Sequence, residues 1–142
     1  MPPGKLDILS MLRVLTLHET EFIVVGGVSA ALNGAPIATN DLDLVHSRTP
    51  GNIDRLLAAL EELDAHMTRS GALDLLGTIG KGRGYDELLP HATQTVVAPG
   101  LLVRVLDLAT LIEIKEEIGQ DKDKAVLPIL RATLKERSGP AS

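Results

Sequence analysis

The chain has 142 residues, enough for one domain with a real core and too few for two comfortable ones. Its 44% apolar and 23% charged residues are ordinary for a globular protein, and its net charge of -5 argues against gripping a long phosphate backbone, which takes clustered Lys and Arg. With no cysteine, disulfides, thiolate metal sites and cysteine nucleophiles are excluded. Phe22 and Tyr85 are the only aromatic residues, so the core has to be built from Leu, Ile, Val and Ala, and base stacking on aromatic platforms is not expected. No apolar run approaches the roughly 18 residues of a membrane-spanning helix, and the N-terminus lacks a signal-peptide layout. The expectation is a cytoplasmic protein with no membrane partner.

Leu6, Ile8, Leu9, Leu12 and Leu15 recur at helical spacing and predict an amphipathic helix over 5–18. Phe22 to Val25 reads as a short buried strand that stops at Gly26-Gly27. Val28 to Leu32 then reads as helical until the turn signal Asn33-Gly34. Pro36 to Asn40 connects to an extended Asp41-Leu42-Asp43-Leu44-Val45. Thr49 is a candidate N-cap with Pro50 at the first helical position, followed by the apolar stripe Ile53, Leu56, Leu57, Leu60 and Leu63. A second acidic strand is expected over Ala72 to Leu76, then a glycine-rich loop from Gly77 to Gly84. Thr95 to Ala98 and Leu101 to Leu106 flank Pro99-Gly100 as a hairpin. Asp107 caps a predicted helix over 108–118 that Gly119 ends, and a last helix covers about 122–137. These elements make a single α/β (α+β) domain over 1–142, a mixed sheet covered by helices, with frayed tails at 1–4 and 138–142.

Candidate chemistry begins with the carboxylates. In an extended strand Asp41 and Asp43 project to one face while Leu42 and Leu44 enter the core, and two like charges on one face call for a cation. Asp74, between Leu73 and Leu75, can join that face. Three carboxylates are the oxygen-rich ligand set that suits Mg²⁺ with substrate phosphates; solvated strand-end residues are the bland alternative. Gly26 and Gly27, between strand and helix, allow phosphate oxygens to approach the backbone, and Ser29 adds a hydroxyl; a tight turn needing positive φ explains the glycines equally well. The segment Gly77 to Gly84, with Lys81 and Arg83, reads either as a cover for a triphosphate or as a surface loop, and it lacks the Walker spacing. Lys115, Lys122 and Lys124 read, taken alone, as solvated helix positions. His18, His46, His66 and His91 show no metal-ligand spacing, so a zinc site has little support.

Val25-Gly26-Gly27, separated by thirteen residues from Asp41-Leu42-Asp43-Leu44, resembles the signature of the polymerase-β-type nucleotidyltransferase superfamily, and within it small bacterial proteins related to minimal nucleotidyltransferases and to nucleotidyltransferase toxins of toxin-antitoxin systems. The third acidic strand at Asp74 and the late Lys115, Gly119, Lys122 and Asp123 extend the resemblance over roughly 22–130. It implies a nucleotidyltransferase-like fold, two Mg²⁺ ions on Asp41 and Asp43, and Asp74 binding the catalytic ion and helping to activate an acceptor hydroxyl. Gly26, Gly27 and Ser29 would hold phosphates, and Lys115 and Lys122 would contact the nucleotide. The implied reaction moves a nucleoside monophosphate from a nucleoside triphosphate such as ATP to a protein, a tRNA end or a small molecule, releasing pyrophosphate. A cognate toxin or antitoxin is an implied partner class. Two features depart from the pattern: Ile37 stands where many relatives have arginine, and the link from Leu63 to Gly71 is short. They favour the alternative of a noncatalytic regulatory or antitoxin-like protein that keeps the fold; a plain metal- or nucleotide-binding module is a third reading. Nucleotide, acceptor and oligomeric state stay open at this level.

Overall fold

In chain order the elements are α1 (Lys5–Leu17), β1 (Phe22–Val25), α2 (Gly26–Leu32), β2 (Asp41–His46), α3 (Pro50–His66), β3 (Ala72–Leu76), β4 (Thr78–Ile79), β5 (Arg83–Gly84), α4 (Tyr85–Leu88), β6 (Ala92–Ala98), β7 (Leu101–Leu106), α5 (Leu108–Ile118) and α6 (Asp121–Arg137). They come from a computed structural model that describes residues 5–39, 41–66, 72–119 and 121–137, with backbone only at 5–7, 64–66, 72 and 121–123. The tails expected to fray, 1–4 and 138–142, lie outside the described residues. So do 67–71, the connector that remains between α3 and β3.

Five strands form one mixed sheet in the order β3-β2-β1-β7-β6, and β4 and β5 form a separate small ribbon. β1 runs antiparallel to β2 and parallel to β7, β2 runs parallel to β3, and β6 is antiparallel to β7. Among the described residues, six α-helices accompany the sheet. The mixed α/β class expected from the sequence is therefore observed.

Alternation along the strands builds two cores. Phe22, Val24, Leu42, Leu44, Val103 and Val105 face Met11, Leu12 and Leu15 of α1 and Leu56, Ala59 and Leu63 of α3. Ile23, Val25, Val45 and Leu106 face Tyr85 and Leu88 of α4, Leu111, Ile112 and Ile114 of α5, and Leu127 and Leu130 of α6. The short α2 contributes Val28 to the first cluster and Ala30 to the second. Burial of these aliphatic side chains, each worth about 1.5–3 kcal/mol, is what holds helices to sheet.

Several boundaries differ from the sequence reading. α2 starts at Gly26 itself, so both glycines belong to its first turn. β6 begins at Ala92, three residues before the predicted Thr95, because its polar residues pair along β7 from Ala92 opposite Leu106 to Thr95 opposite Val103. Gly77 to Gly84 is not a plain loop. Gly80 and Gly82, at φ 60° and 80°, turn the chain so that Thr78 pairs with Gly84 and Ile79 with Arg83. A short α4 and one 3₁₀ turn, Leu89–His91, follow. Leu57, one of the apolar stripe read from the sequence, is 58% exposed. Among the described residues no helix is long and apolar enough to cross a membrane.

Candidate functional site

Strand register brings the acidic residues together. Asp43 stands opposite Val25 on one side and Asp74 on the other, and Asp41 lies two residues away on the same face. Leu42 and Leu44 are buried beneath them, as alternation requires. Asp41 and Asp74 are exposed and Asp43 is half-buried. Burial is the main reason that the Asp43 carboxyl titrates near about 6 instead of 3.8. A shared hydrogen bond with Asp74 and the negative charges of Asp74 and Asp41 push the same way, and the Lys115 cation opposes them. The site is thus a close carboxyl pair, Asp43 and Asp74, with the Asp41 carboxylate and the Lys115 ammonium near enough to be felt at Asp43.

The glycines have separate local reasons. Gly26 adopts φ 67°, and a Cβ there would run into the Asp43 Oδ2 and lie 3.2 Å from its Cγ. Its missing side chain is what admits the half-buried carboxylate. A Cβ on Gly27 would lie 3.3 Å from both Cβ and Oγ1 of Thr39. The Thr39 hydroxyl in turn accepts a hydrogen bond from the Asp41 backbone N–H at 3.2 Å. Thr39 therefore ties the glycine turn to the start of β2. It was not among the residues singled out from the sequence, although a threonine two positions before an aspartate has a recognisable local hydrogen-bonding pattern. Ser29 is fully buried, and its hydroxyl donates to the Gly26 carbonyl at 2.7 Å, so it holds the turn from inside.

Lys115, on α5, lies near enough to Asp43 to lower its proton affinity. Asp107 caps that helix by accepting from the Thr110 N–H at 2.8 Å, and Gly119 closes it at φ 63°. The small ribbon is fastened to the same helix, since Arg83 meets Glu117 at 2.6 Å and Glu113 at 3.1 Å. Arg83 is thereby committed to carboxylates of its own chain, while Lys81 is exposed. The backbone of Lys122 lies in α6, but its side chain is outside the described residues. Ile37 packs against the second core cluster. Cavities of about 280, 340, 340 and 360 Å³ occur in the protein, and none is lined by Asp41, Asp43 or Asp74.

Among the described residues no three His, Cys, Asp or Glu side chains converge as a group that could hold a metal ion. The contiguous unit is the pair Asp43 and Asp74. That donor set still fits magnesium, which takes oxygen ligands only and commonly uses one or two carboxylates with substrate phosphates and water. A divalent cation there would offset the carboxylate repulsion that helps to raise the proton affinity of Asp43. Set against known proteins, the chain matches no family model, and a search of characterised proteins gives no match. The chemistry therefore has to be argued from the residues themselves.

Proposed function

We propose that this chain is a Mg²⁺-dependent nucleotidyltransferase with the nucleotidyltransferase-like fold. The observation that carries the reading is the face on which Asp43 and Asp74 touch, with Asp41 on the same strand and Lys115 opposing from α5. Asp43, wedged against Gly26, and Asp74 beside it would hold cations, with Asp41 contributing charge from the strand start. Magnesium, when bound, supplies Lewis-acid stabilisation to the attacking and leaving oxygens. Gly26 makes room for the Asp43 carboxylate and Gly27 for Thr39, and Lys115 supplies a positive charge for the nucleotide. The acceptor hydroxyl oxygen bonds to the α-phosphorus, the bond from that phosphorus to the α-β bridging oxygen breaks, and pyrophosphate leaves. Asp74, an exposed member of the pair, takes the hydroxyl proton. The acceptor is a protein, a tRNA end or a small molecule.

The test is incorporation of labelled nucleotide from each of the four triphosphates, with and without Mg²⁺, into candidate acceptors. Loss of at least 100-fold in Asp43→Asn and Asp74→Asn is expected if the carboxylates organise the transfer. Unchanged incorporation in those variants overturns the assignment. A second reading is a noncatalytic protein on the same fold that binds a partner, a cognate toxin or antitoxin among them. It is favoured by Ile37, whose side chain is given to the core at a position where relatives carry a cation. Triphosphate binding without turnover on any acceptor supports that reading.

A further inference from the structure

We infer that the β6 edge is a self-association surface, on which a second copy of this chain adds its own β6 in antiparallel register to make a continuous ten-stranded sheet. Among the described residues, β7 is the only sheet neighbour of β6, so the other side of this seven-residue strand is an edge. Sheet edges are commonly guarded by charge, proline or a bulge. The opposite edge, β3, carries Asp74. By contrast, β6 reads Ala92-Thr93-Gln94-Thr95-Val96-Val97-Ala98, with neither charge nor proline. Its one guard is the register shift between Val96 and Ala98, which confines regular pairing to 92–96.

Those five residues are complementary to themselves. With a two-fold axis at Gln94, Gln94 faces its own copy, Thr93 faces Thr95, and Ala92 faces Val96. Threonine pairs across strands are favourable. Val96 is 69% exposed and stands beside Leu102, itself 45% exposed. Ala92, by contrast, packs at the margin of the second core cluster. The pairing would lay each Val96 over the Ala92 of the other copy and extend both cores. An uncharged contact also suits two chains of net charge -5, because the segment brings no like charges face to face. The occupant is therefore a second copy rather than a charged peptide.

The contact is small beside the roughly 800 Å² per partner of a standard interface, so the dimer should be weak: monomer at about 10 µM and substantially dimer towards about 1 mM. Sedimentation equilibrium across that range tests it. Gln94→Lys and Gln94→Glu, which place like charges opposite each other, should each remain monomeric, and their equimolar mixture should recover the dimer. Gln94→Cys, in a chain with no other cysteine, should oxidise to a covalent dimer much faster than an exposed control, Leu57→Cys. A wild-type chain monomeric at about 1 mM overturns the inference. So does a dimer that Gln94→Lys leaves intact, or equal cross-linking by the two cysteine variants. Recovery in the mixture separates loss of the contact from loss of the fold. None of these outcomes depends on the nucleotidyltransferase reading.

Discussion

Asp43 behaves unlike an ordinary surface carboxylate, and the sign of its effect on stability follows from that. Its folded pKa, about 6, lies above the 3.8 of an unperturbed carboxyl. Between those values the folded protein keeps a proton that the unfolded chain has released. Stability should therefore fall as pH rises from about 4 to about 6, with the full penalty present above about 6. Asp43→Asn keeps the shape and removes the buried charge, so its melting temperature should vary less over this window and exceed wild type at pH 7.5. Melting curves at pH 4.5, 6 and 7.5 check this, and an unchanged wild-type slope in Asp43→Asn would refute the raised proton affinity of Asp43. Gly26 is coupled to the same group. Gly26→Ala meets a left-handed backbone and the Asp43 carboxylate together, and should cost roughly 2–4 kcal/mol in urea unfolding. Combined with Asp43→Ala the loss should be less than additive, because the neighbour has gone. At this scale, strand alternation made Asp41 and Asp43 legible in the sequence as cofacial. It could not reveal that Gly26 is cut away for Asp43, or that Thr39 joins Gly27 to Asp41, since both approaches span α2 and the connector after it.

Elements with strong periodicity or explicit caps were readable in advance. α5 is the clearest case: Asp107 and Gly119 mark both ends, and the apolar stripe between them is buried. Asp107→Ala should therefore destabilise by about 1 kcal/mol, measured by denaturant midpoint, through loss of the bond to the Thr110 N–H. What escaped were elements fixed by distant partners. The segment Gly77 to Gly84 has glycines enough for a loop, and its order comes from Arg83 reaching Glu113 and Glu117 some thirty residues on. Because Arg83 Nη1 and Glu117 Oε1 are buried without partners among the described residues, this ion pair is only partly satisfied there. Its removal should still be costly, since Arg83→Met leaves the Glu117 charge partly buried and alone. A loss of roughly 1–3 kcal/mol is expected, with faster amide exchange confined to 78–84. Global loss of protection would mean that the ribbon belongs to the core. The early start of β6 escaped for a similar reason: Ala92 and Gln94 carry little strand signal of their own, and pairing with β7 supplies it.

Across the whole molecule, the decisive fact is strand order, which composition and periodicity do not encode. β7 inserts beside β1, and the chain then returns through α5 across the face that carries Asp43. Asp43 and Asp74 meet through the parallel pairing of β2 with β3, and the return through α5 is what brings Lys115 near Asp43. The meeting has a measurable consequence, because Lys115 lowers the proton affinity of Asp43 and for the same electrostatic reason competes with any cation there. Lys115→Met should bind Mg²⁺ roughly fivefold more tightly than wild type at pH 8, well above the Asp43 pKa of about 6, as removal of a positive charge worth about 1 kcal/mol predicts. Nucleoside triphosphate, which brings its own negative charge, should bind more weakly to the same variant. Calorimetric titration with Mg²⁺ alone and with triphosphate alone separates the two effects. Opposite shifts would identify Lys115 as the balancing charge between metal and nucleotide. Parallel shifts, or none, would mean that α5 merely covers the sheet and that the Asp43 and Asp74 pair works without it.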